Sequence, residues 1–75
     1  MKEHDTIVLK HDVPEYGLET GDIGTIVHRY KSPDNYEVEF VTGEGRTLGV
    51  IQLSDSDIRT INNEEILHVR ELKAA

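Results

Sequence analysis

Residues 21–27 read Gly21, Asp22, Ile23, Gly24, Thr25, Ile26, Val27, a turn signal that runs straight into β-branched and aliphatic residues. Gly21 and Asp22 supply the turn chemistry: glycine adopts positive φ without steric cost, and an aspartate side chain bonds nearby backbone. Gly24 stands where a strand over residues 25–30 begins, and there the backbone must either bend or approach another segment closely. The glycines also invite a phosphate-loop reading, which fails. No helix follows to aim its N-terminus at a phosphate, and no lysine stands at the required place. The stretch therefore decides the fold class, all-β, rather than a function.

Working outward, residues 6–10 form a first β-rich run and residues 11–20 a loop. Pro14 holds Val13 extended, Gly17 gives a flexible point beside Tyr16, and Leu18 is expected to anchor the loop in the core. Residues 31–35, with Ser32, Pro33 and Asp34, carry turn chemistry. A third strand over residues 36–41 alternates, with Tyr36, Val38 and Phe40 on one face and Glu37 and Glu39 on the other. Gly43, Glu44 and Gly45 close a hairpin, with Gly45 in the left-handed position. That loop predicts Phe40 opposite Leu48, Val38 opposite Val50 and Glu39 opposite Gly49. Val41 and Ile51 then share the outer face with Glu37 and Glu39.

A fourth strand over residues 47–53, a capped turn or single helical turn at 54–57 and a fifth strand over 58–61 follow. After a turn at 62–65, residues 66–72 are β-prone enough for a last strand, with a short helix as the competing reading; Ala74 and Ala75 are expected to fray. The predicted architecture is a small, strongly bent antiparallel barrel of five or six short strands with one or two short helical turns. It makes one domain over residues 1–75, in which 62–75 form a C-terminal extension that adds a strand.

Composition agrees. Seventy-five residues, 36% hydrophobic with one Phe and no Trp, leave room for one small core built on Ile, Val and Leu. No Cys is present, which removes disulfides, thiolate metal sites and thiol nucleophiles together. Fifteen acidic against eight basic residues give a net charge of −7, and the lysines and arginines are scattered, so a nucleic-acid backbone is disfavoured as partner. No apolar run approaches the roughly 20 residues of a membrane span and the N-terminus lacks a signal-peptide core, so a soluble cytoplasmic protein is expected.

Candidate chemistry is sparse. His4–Asp5 and His11–Asp12 suggest metal ligands, but an extended chain between them separates the histidines by about 20 Å. Glu37 and Glu39, with Glu44 nearby, share a solvated face where neither carboxyl is tuned for acid–base work, and an acidic docking patch is the functional alternative. Thr47, Ser54, Ser56 and Thr60 near Asp55 and Asp57 have no placed histidine, and capping accounts for them. His28 and His68 fall on different predicted strands, where a pH-sensitive contact between them competes with two unrelated surface histidines. Tyr16, Tyr30 and Tyr36 suggest a peptide groove, against ordinary half-buried packing. Val41 and Ile51, apolar on an outer face, need cover from residues 66–72 or from another chain. With no catalytic group, cofactor or metal set apparent, the expectation is a non-enzymatic protein-binding module. Its candidate contact residues are Glu37, Glu39, Val41, Ile51, Tyr16 and Tyr30, with Gly21, Asp22, Gly24, Gly43 and Gly45 as structural turn positions.

The run Leu18, Glu19, Thr20, Gly21, Asp22, Ile23, Gly24, Thr25, Ile26, Val27 followed by Tyr36, Glu37, Val38, Glu39, Phe40 resembles SH3-like barrels of the KOW type. More closely, Asp5–Leu9, Asp12, Val13, Pro14, Glu15, Gly17, Leu18, the turn, the Tyr36 strand and Gly45–Leu48 resemble a bacterial family of small acidic proteins, domain-of-unknown-function family 4926. Ile66, Leu67, His68, Val69 and Arg70 resemble a tail found in some members. The resemblance implies an SH3-like barrel and a small accessory gene product, with a neighbouring gene's product as partner and a toxin-neutralising role. It transfers no catalytic residue. The KOW likeness implies nucleic-acid binding as the alternative. A weaker likeness to small SH3-like subunits of photosynthetic and nitrile-converting complexes again implies docking, and a homo-oligomer is compatible with all of these.

Overall fold

The computed structural model describes residues 1–31 and 34–72. Ser32 and Pro33 in the expected turn, and the expected fraying of Ala74 and Ala75, lie outside the described residues. Five strands form: β1 (Thr6–Leu9), β2 (Ile23–Arg29), β3 (Asn35–Val41), β4 (Thr47–Ser54) and β5 (Ile58–Thr60), with one 3₁₀ turn at Pro14–Tyr16. All pairings are antiparallel, in a single sheet of order β4-β3-β2-β1-β5. The all-β expectation is met. The sheet is not closed into a barrel, because β4 and β5, consecutive in sequence, lie at its two opposite edges.

One core nonetheless draws on every strand. Ile7 and Leu9 of β1, Ile26 of β2, Tyr36, Val38 and Phe40 of β3, Ile51 and Leu53 of β4 and Ile58 of β5 are buried together, with Val13 and Leu18 from the loop. Residues from both edges can meet only if the sheet curls over its own inner face, and a bulge at Ile26–His28 in β2 supplies local twist. Leu18 is held as expected, since Val13 and Leu18 exchange backbone hydrogen bonds of 2.9 and 3.2 Å. Gly21 has φ +93° and makes the turn, its N–H donating to Leu9 O. Gly24 has the other role anticipated for it, close approach. A Cβ there would lie 2.6 Å from Val38 Cγ1, 2.9 Å from Phe40 Cε1 and 3.0 Å from Glu39 O.

Two expectations are corrected. The hairpin loop forms as read, with Gly45 at φ +87°, Thr42 N–H bonded to Arg46 O and Val41 opposite Thr47. A bulge then shifts the register by one, placing Phe40 opposite Gly49, Glu39 opposite Val50, Val38 opposite Ile51 and Tyr36 opposite Leu53. The reason is polarity: without the bulge the next pair would be Tyr36 with Gln52, which buries an amide, whereas the shift buries Leu53. Ile51 is consequently a core residue, 7% exposed, and Val50 faces outward at 51%.

Residues 61–72 form neither strand nor helix, so the expected added strand is absent over the described part of the extension. Glu65 instead accepts from Asn62 N–H and pairs with both terminal nitrogens of Arg59 at 2.7 and 2.6 Å, closing a turn. The segment then passes over Val8 and Ile23 toward the β2 turn, and it leaves Val41 exposed.

Candidate docking edge and outer sheet face

Hydrogen-bond phase determines which backbone groups of β4 are free. Asp55 N–H donates to Asp34 O at 3.0 Å, which makes 34/55 a hydrogen-bonded pair. In an antiparallel ladder such pairs recur every second residue, so 36/53, 38/51 and 40/49 are the others in this register. The peptide groups of Val50 and Gln52 therefore point away from β3, while Leu48 lies in the bulge, where this alternation stops. Ser54, the next in that series, has its N–H satisfied by Asp57 Oδ2 at 2.8 Å. β4 pairs with β3 alone among the described strands, leaving Val50 and Gln52 as an open edge.

The edge is also chemically bare. β4 is eight residues long and reads Thr, Leu, Gly, Val, Ile, Gln, Leu, Ser, with no charge and no proline. Natural sheets usually blunt an edge with such residues or keep it short. β5, the opposite edge, follows that practice with three residues that include Arg59. On the outer face beside the β4 edge, Val50 lies opposite Glu39, Gln52 opposite Glu37 and Thr25 opposite Glu39 on the other side. Thr47 Oγ1 donates to Glu39 Oε2 at 2.7 Å, and Tyr30 Oη donates to Glu37 Oε1 at 2.8 Å. That hydrogen bond to the carboxylate raises the Tyr30 pKa above its ordinary value. Both glutamates are thus oriented and half-buried, with exposed Val41 at the end of the strand.

Of the residues singled out from sequence, Glu37, Glu39, Val41 and Tyr30 fall on this outer face or its border. Ile51 does not, being buried. Tyr16 is exposed at the 3₁₀ turn, where it borders a separate groove with Leu18, Leu48 and Leu72, and Tyr36 is buried in the core. The three tyrosines therefore do not line one groove. His28 stands 3.5 Å from Glu3 and packs edge-on against Tyr30, while His68 borders Ile23 and Gly21. Among the described residues no group of three or more His, Cys, Asp or Glu is arranged to hold a metal ion. Of the four serine and threonine hydroxyls, Ser54 Oγ bonds Asp57 and Ser56, and Thr47 Oγ1 bonds Glu39. No helix of the described residues is long and apolar enough to cross a membrane.

Sequence reasoning missed Val50 and Gln52 as edge residues. The signal was present, since an eight-residue strand without charge beside charged neighbours marks an unguarded edge. It also missed the tail's anchorage. Arg70 Nε donates to Asp22 Oδ1 at 2.8 Å, and its Nη2 donates to Asp22 Oδ2 at 2.7 Å and to Gly17 O at 2.9 Å. Partial burial of Asp22 opposes its ionisation, but the guanidinium and the Glu19 N–H outweigh this and hold the carboxyl below its ordinary value.

Residues 3–60 match the family model described as Domain of unknown function (DUF4926). No curated protein and no solved structure matches the chain.

Proposed function

The chain belongs to the DUF4926 family, whose description assigns no activity, and we propose from its surface that it is a cytoplasmic, non-enzymatic module that docks a partner protein by strand addition along β4. One observation carries this reading: the open, uncharged β4 edge, with the backbone groups of Val50 and Gln52 directed outward. An extended segment laid there gains main-chain hydrogen bonds for affinity, while alternate side chains meet Val50 and Val41 for specificity. Glu37 and Glu39, within a net charge of −7, favour a segment that alternates apolar with basic residues. The first partner to try is the product of a neighbouring gene, and a toxin neutralised in this way fits the same geometry.

The test is Val50→Pro. Proline removes an N–H that points away from β3, a place where sheets tolerate it, so the fold persists while the edge loses a donor. Capture of the partner by immobilised protein should fall sharply for this variant, and fall further when Glu37 and Glu39 are changed to Lys. Undiminished capture by a folded Val50→Pro protein would sink the proposal. Binding of RNA or DNA that weakens steeply with salt would favour the nucleic-acid alternative instead.

A further inference from the structure

The β2 turn and the 3₁₀ turn together make a seat for a guanidinium. Asp22 offers both carboxylate oxygens, and Oδ2 is already fixed by the Glu19 N–H at 2.8 Å. Gly17 offers its carbonyl, and Glu19 stands 3.7 Å from the same guanidinium. Such fork-on-fork recognition selects arginine over lysine. Every residue of the seat falls within the matched span of the family, 3–60, whereas Arg70, which fills it, comes from outside that span.

The tail is a poor occupant apart from Arg70. Val69 is 89% exposed and Ile66 91%, so the segment is held chiefly by one side chain. Next to the seat lies a groove of ≈ 300 Å³ floored by Leu18, Ile23, Phe40 and Leu48, which Val69 and Leu72 border without filling. Apolar space beside a few placed polar groups is the usual form of a ligand site.

We propose that this seat and groove are a second binding site, for an extended segment of a partner protein carrying an arginine with a bulky apolar neighbour, and that the chain's own tail is its displaceable place-holder. The incoming arginine replaces Arg70 on Asp22 and Gly17, and its neighbour enters the groove the tail leaves open. The groove adjoins β4 at Leu48 and β3 at Val41, but the edge reading rests on the backbone of Val50 and Gln52, and failure of the arginine seat would leave it untouched.

The full-length Arg70→Ala variant and a synthetic peptide with the sequence of residues 64–72 test this by titration, using the amide signals of Gly17 and Asp22. Removing the competing tail should tighten peptide binding by about tenfold relative to wild type, as for a site that the tail occupies roughly nine-tenths of the time. Replacing the peptide's arginine with citrulline, or Asp22→Asn in the protein, should abolish it. No binding to Arg70→Ala at millimolar peptide, or equal binding of the citrulline peptide, would overturn the proposal. So would a wild-type dimer that disappears in Arg70→Ala, since the occupant would then be the tail of a second copy.

Discussion

Replacing Gly24 with Ala adds a single methyl group at the most crowded of the chain's glycines. The new Cβ would meet Val38 Cγ1 at 2.6 Å, Phe40 Cε1 at 2.9 Å and Glu39 O at 3.0 Å. Two of these belong to side chains buried in the core. The third is backbone of the neighbouring strand and cannot retreat without loosening the β2–β3 ladder. Overpacking of this kind costs about 1–3 kcal/mol, and contacts this short argue for the upper end. The lower unfolded-state entropy of alanine returns about 0.5–1 kcal/mol, which leaves a net loss of about 2 kcal/mol. For a domain of this size that lowers Tm by roughly 8–16 °C, and with an m-value near 1 kcal/mol/M it shifts the urea midpoint by about 2 M. Urea unfolding followed by circular dichroism gives both numbers. Gly49→Ala is the control. Its Cβ would have nothing within 4 Å, so it should be neutral or stabilise by about 0.5 kcal/mol. A Gly24→Ala protein as stable as wild type would refute the reasoning that this glycine exists for close approach.

Three further outcomes are expected. Ile51→Ala should cost about 2–5 kcal/mol as a core truncation while Val50→Ala stays within about 0.5 kcal/mol; the reverse order in chemical denaturation would restore the unbulged register. His11 donates from Nδ1 to Asp12 O (3.0 Å) and from Nε2 to Asp57 Oδ1 (2.6 Å), and the backbone contact first, then the Asp57 carboxylate, raises its pKa above 6.5. Its contribution to stability is therefore full below the unfolded pKa near 6.5 and is lost as pH rises through the raised folded value; a pH–stability profile unchanged by His11→Gln would contradict this. Glu65, held by Arg59 and the Asn62 N–H, titrates at about 2. Its effect is present above the ordinary carboxyl range and fades as pH falls toward that value. Carboxyl NMR should show the low midpoint, and Arg59→Ala should move it up; a normal midpoint in wild type would mean that the 59–65 turn is not formed.

Much of the fold was legible because alternation is a strong signal when one face is buried. Tyr36, Val38 and Phe40 against Glu37 and Glu39 fixed the central strand, and glycines with turn neighbours marked its ends. The bulge at Leu48 was harder to see, since Gly49 beside it fits a strand in either register, and only the polarity of Gln52 four positions on demands the shift. The tail misled for a different reason. Ile66, Leu67 and Val69 have β propensity, but propensity describes fitness for a half-buried pleated surface, and a strand also needs a partner edge in register. Arg70, anchored 48 residues away on Asp22, takes the segment elsewhere, and nothing local in the sequence announces so distant an ion pair. For the proposed site, the outward facing of Glu37, Glu39 and Val41 was legible from alternation, while Ile51 was placed on the wrong face and Val50 missed through the same one-residue shift.

Amide hydrogen exchange along β4, in the free protein and in its complex, tests the docking edge most directly. In the free chain Ile51 and Leu53 N–H should be protected by β3 while Val50 and Gln52 exchange quickly. In the complex Val50 and Gln52 should slow to rates like those of their neighbours. If they stay fast when partner is bound, while protection appears elsewhere on the molecule, the β4 edge is not where this protein docks.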